Sequence, residues 1–70
     1  MTREELKEKY PDIREEVAVA YYKGMAKAYF NAGLSWEVAT THITKAIISG
    51  DILAEAGFYY RALQIEECKV

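Results

Sequence analysis

From residue 17 to residue 32 the chain carries three polar side chains, Lys23, Lys27 and Asn31, each four residues after the last. Spacing by four returns nearly to the same side of a helix, so the polar positions form one narrow strip, which Asp12 and Glu16 extend backward. The remaining residues there are Val, Ala, Tyr, Met, Phe and Gly. A second segment puts Trp36, Ala39, Ile43, Ala46 and Ile47 on one face, opposite Glu37, Thr41, Thr44, Lys45 and Ser49. A third groups Ile52, Leu53, Ala56, Tyr59, Tyr60 and Leu63, and leaves Phe58 and Ile65 behind. Nothing alternates with the period of a strand.

Punctuation residues set the boundaries. Thr2 with Glu5 makes a capping box that starts a turn or two, ending before Tyr10-Pro11, and Asp12 with Glu15 repeats the signal. Asn31-Ala32-Gly33 stops the first long helix, Ser35 caps the second, Gly50 ends it and Asp51 caps the third. The expected fold is all-α, a single domain over 1–70. It has a short N-terminal segment (1–10) and three main helices at 12–32, 35–49 and 51–67, with the third packing on or capping a helical hairpin.

The first long helix offers more apolar surface than two short partners cover, so part of it is expected to meet another chain. The self-association set is Val17, Tyr21, Tyr22, Met25, Ala28 and Tyr29, joined by Phe58 and Ile65 from the third helix. Six tyrosines in seventy residues suit half-wet contacts, since each pairs a flat apolar ring with a hydroxyl. Lys23, Lys27 and Asn31 are the candidate partner-binding strip, because like charges four apart on a helix are unfavourable unless an anion, such as an acidic peptide, lies nearby.

Composition narrows the function. A formal charge of -2 argues against bulk electrostatic binding to nucleic acid or anionic lipid. One cysteine, Cys68, and one histidine, His42, provide neither an internal disulfide nor a set of metal ligands, and no cofactor is implied. No apolar run suggests a leader peptide or a membrane span, so a cytoplasmic setting is the expectation. His42, Lys45 and Ser49 share a side of the second helix, but His42 and Ser49 stand about 10 Å apart along its axis, too far for a nucleophile and its base. The carboxylates of Glu4, Glu5, Glu8, Glu15, Glu16, Glu66 and Glu67 are expected near termini or on exposed faces, and no enzyme is expected.

Residues 22–47 resemble one tetratricopeptide repeat. Tyr22 fills the first aromatic place, Met25 and Ala26 a Leu-Gly pair, Ala28 and Tyr29 a small-Tyr pair, and Gly33 the turn. Trp36 opens the second helix, with Ala39, Ile43, Ala46 and Ile47 inside. The pattern departs at Ala26, normally Gly, and by one extra residue, Leu34. The resemblance implies chains that stack on one another, a groove lined by Lys23, Lys27 and Asn31, and a third helix acting as a cap. Residues 32–49 also resemble a helix-turn-helix, which implies a DNA-binding regulator reading bases and phosphates through Thr40, Thr41, His42, Thr44 and Lys45. Tyr29 stands where that motif prefers Ala, and its recognition helix lacks Arg. The leading expectation is a small protein-interaction module or adaptor that self-associates; a subunit whose whole role is homo-oligomeric structure is the other non-enzymatic alternative.

Overall fold

A computed structural model describes residues 1–69. Those residues form four helices, α1 (Arg3–Lys9), α2 (Glu15–Asn31), α3 (Trp36–Ile48) and α4 (Ile52–Glu67), with no strand among them. The capping box closes α1: Thr2 Oγ1 accepts from the Glu5 amide, and the Glu5 carboxylate accepts from the Thr2 amide, each at 3.2 Å. Thr2, first through its backbone amide and then through its side chain, holds the Glu5 carboxyl below its usual range. Ser35 caps α3 through the Val38 amide, and Asp51 caps α4 through the Ala54 amide at 3.1 Å. Gly33 (φ 84°) and Gly50 (φ 101°) supply the left-handed turns after α2 and α3, a conformation that any side chain would strain.

The start of α2 differs from the expected cap. Asp12 makes no capping bond; Ile13 folds back to the Tyr10 carbonyl at 3.2 Å, leaving Arg14, extended and without a side-chain bond, as the residue before the helix. The turn after Pro11 therefore consumes the residues that Asp12 would have capped.

The core is built around Tyr60 of α4. Leu6 and Tyr10 of α1, Ala18 and Val19 of α2, and Ala56 and Tyr60 of α4 form one buried cluster, with Ile13, Leu53, Tyr59 and Leu63 against its edge. The short N-terminal segment is thus part of the core: Leu6 is fully buried, and with Tyr60 is among the largest side chains so enclosed. The Tyr10 hydroxyl donates to Glu55, and Lys9 places its ammonium 5.4 Å and 5.3 Å from the ring centres of Tyr10 and Tyr59. Burial first, and then Glu55, push the Tyr10 phenol upward.

Helix α4 meets α2 through small residues. Gly57 is buried so tightly that a Cβ there would fall onto the Ala18 carbonyl oxygen and 2.7 Å from the Tyr22 Cβ. Ala26, Ala39, Ile43 and Ala54 are buried as well.

Two expected core positions lie outside. Trp36 is 57% exposed and Ile52 58% exposed; each is the first residue of its helix, at the end of the apolar stripe. Glu15 corrects the expectation for acidic residues. It is half-buried, accepting from Arg3 Nε at 2.6 Å and from Gln64 at 2.8 Å, and Arg3 also grips Glu67 at 2.8 Å. Arg3 holds both carboxyls below their usual range, helped at Glu15 by Gln64. One guanidinium so ties α1 to α2 and α4. The molecule is only 17 Å thick in its thinnest direction, so the helices keep outward faces.

Candidate interaction surface

Turning α2 by about 100° per residue brings Val17, Tyr21, Gly24 and Ala28 within about 60° of one another. All four are exposed, Val17 at 49% and Tyr21 at 38%, and Ala20 beside them is exposed as well. Small side chains at Ala20, Gly24 and Ala28 make this face flat, and beyond the adjacent residues and local backbone of α2 no atom lies within 4 Å of where a Gly24 Cβ would stand. The Tyr21 ring is pinned at its tip, where the hydroxyl donates to Asp51 at 2.7 Å, which raises the phenol above its ordinary value. Lys23, Lys27 and Asn31 are all exposed on the adjoining strip. Neither lysine forms an ion pair with a described residue.

The other residues named for self-association divide between two environments. Tyr22, Met25 and Tyr29 are half-buried on the inner side of α2. Tyr29 stacks on His42 with ring centres 5.1 Å apart, and Tyr22 meets Phe58 edge-on at 6.2 Å. Phe58 and Ile65 remain 43% and 45% exposed. With Tyr22, Trp36, Ala62 and Arg61 they wall a groove of about 300 Å³. Phe30 extends this aromatic surface by stacking on Trp36 with centres 5.7 Å apart. The sequence pattern found Phe58 and Ile65 but placed Trp36 inside and passed over Arg61; the signal available was the position of Arg61 four residues before Ile65 on the back of α4.

A larger cleft of about 580 Å³, lined by residues including Met1, Arg3, Leu63 and Glu67, is spanned by the Arg3–Glu67 ion pair, so its central charges already offset each other.

The positions named for base reading are occupied locally. Thr40, Thr41 and Thr44 donate their hydroxyls to the carbonyls of Trp36, Glu37 and Thr40, at 2.8, 2.9 and 2.8 Å. Lys45 and His42 are exposed, with one face of the His42 ring against Tyr29. Among the described residues no three of His, Cys, Asp and Glu gather to hold a metal ion, and no helix is long and apolar enough to cross a membrane. Cys68 is exposed and free. No family model, no curated protein and no solved structure matches the chain.

Proposed function

We propose that the chain is a non-enzymatic protein-interaction module that self-associates by laying the outward face of α2 against the same face of a second copy. The supporting observation is the strip Val17, Tyr21, Gly24 and Ala28, exposed and made of uncharged residues, with the Asp51 carboxylate held at the tip of Tyr21. Small residues let two helices approach closely, and Val17 and Tyr21 supply area to remove from water at about 25 cal/mol per Å². The lysine strip runs along one side of this face, so a parallel pairing of the two helices would set the two strips on opposite flanks, whereas an antiparallel pairing would bring lysine against lysine. In the parallel pairing Lys23, Lys27 and Asn31 stay available as a second, anion-facing surface.

Light scattering behind size exclusion, run over a wide concentration range, tests the reading. The expected result is a mass of two or more chains that falls to one chain on dilution. Ala28→Glu is the matching variant: Ala28 is exposed in the single chain, so the substitution leaves the fold intact and dissociates the assembly. A one-chain mass at every concentration, or an assembly indifferent to Ala28→Glu, overturns the reading.

A further inference from the structure

We infer that the groove between α4, Tyr22 and Trp36 is a second, separate docking site, which takes a short apolar segment of another protein carrying one carboxylate, with Arg61 as the carboxylate's partner. The lining has three aromatic rings, Tyr22, Trp36 and Phe58, two aliphatic side chains, Ala62 and Ile65, and one charge, Arg61. Trp, Tyr and Arg are the residues that dominate binding energy when they sit together at an interface. At about 300 Å³ the groove stands at the lower end of the range for ligand clefts, the scale of a few side chains rather than of a whole helix.

Charge selects the occupant. Arg61 forms no ion pair with any described residue, and no acidic side chain lines the groove. A planar guanidinium at the edge of an apolar surface matches a carboxylate in two parallel hydrogen bonds, strengthened as the neighbouring rings exclude water. The most apolar strip of the chain itself is a poor fit: Val17, Tyr21, Gly24 and Ala28 run beside Lys23 and Lys27, which Arg61 would repel. A foreign segment with an acidic residue among apolar ones satisfies both the rings and the charge.

The groove contains its own reporter, because Trp36 is the only tryptophan and is more than half exposed. The probes are acetyl-Leu-Leu-Glu-Leu-Leu-amide and its Gln counterpart, titrated while Trp36 emission is followed. The expected result is a saturable shift of emission to shorter wavelength, with the Glu peptide bound roughly tenfold more tightly than the Gln peptide. Arg61→Gln is expected to erase that preference, and Phe58→Ala to weaken both peptides; Phe58 is exposed and Arg61 half-buried, and circular dichroism checks that each variant folds. No saturable shift, equal affinity for the two peptides, or a preference that survives Arg61→Gln overturns the inference. So does an emission shift without peptide that tracks a doubling of mass, since a second copy would then cover the groove. Repeating the titration on Ala28→Glu separates the two surfaces: binding by that variant holds the groove reading independent of α2 self-association, and loss of binding there overturns that independence.

Discussion

Adding one methyl group at Gly57 and one at Gly24 should move stability in opposite directions. Both glycines stand inside helices, α4 and α2, where replacing Gly by Ala ordinarily gains about 1 kcal/mol of helix propensity. At Gly24 nothing beyond the adjacent residues and local backbone of α2 lies within 4 Å of the new Cβ, so the gain of about 0.5–1 kcal/mol should appear undiminished. At Gly57 the Cβ would land on the Ala18 carbonyl oxygen, 2.7 Å from the Tyr22 Cβ and 3.1 Å from the Ala18 carbonyl carbon. Two of those three atoms are backbone, which cannot swing aside, so α2 and α4 must separate along their main contact. Overpacking of a tight interior costs about 1–3 kcal/mol, and a backbone clash belongs at the upper end. After the propensity gain, the net loss is about 2 kcal/mol. For a domain of this size that lowers Tm by about 8–16 °C, and the urea midpoint by about 2 M if m is near 1 kcal/mol/M. Urea denaturation followed by far-UV circular dichroism measures it, at one fixed concentration below that of self-association, because association would otherwise add to apparent stability. A Gly57→Ala midpoint equal to or above that of the parent refutes the close approach of α4 to α2.

The remaining predictions probe the ties on α1 and the tyrosines. Leu6→Ala removes a fully buried side chain and is expected to cost about 2–5 kcal/mol in the same denaturation; a loss under about 1 kcal/mol would mean that α1 is not part of the core. Glu15 and Glu67 have folded-state pKa values below their unfolded ones, so their contribution is present above the ordinary carboxylate range and lost as pH falls through the depressed values. Arg3→Met should therefore destabilise the protein at neutral pH and converge on the parent in acid; a gap that persists unchanged into acid would refute the tie. Tyr10, Tyr21 and Tyr60 have raised values, which places their contribution below about pH 10 and removes it as pH rises further. Tyr10→Phe is expected to flatten this alkaline loss of stability, measured by thermal melts across the pH series.

The parts of this fold legible in the sequence are those governed by local chemistry. Thr2-Glu5, Ser35, Asp51, Gly33 and Gly50 each act through atoms within a few residues, so spacing alone revealed their roles. Asp12 followed the same rule and failed, because the competing turn after Pro11 draws on a contact between Ile13 and Tyr10 that capping statistics do not contain. What the pattern could not show is long-range pairing. Arg3 meets Glu67 from the opposite end of the chain, and Tyr10 meets Glu55 across the core, yet in sequence each is an ordinary polar or aromatic residue near a helix end. Periodicity also ranks a face by its apolar content, which is blind to size. It therefore picked Ile52 and Trp36 as core and overlooked Ala54 and Gly57, whose smallness allows α4 to settle on α2.

The same blindness hid the groove. A small residue at Gly57 brings α4 close to α2, and that closeness leaves Phe58, Arg61, Ala62 and Ile65 beside Tyr22 as a wall rather than as isolated surface positions. The groove therefore depends on the Gly57 contact although Gly57 does not line it. Gly57→Ala would then change Trp36 emission along with stability, while Gly24→Ala, stabilising and remote, would leave the emission as it was. Unchanged Trp36 emission in a folded Gly57→Ala variant would show that the groove stands without the helix contact, and would remove that link between packing and binding.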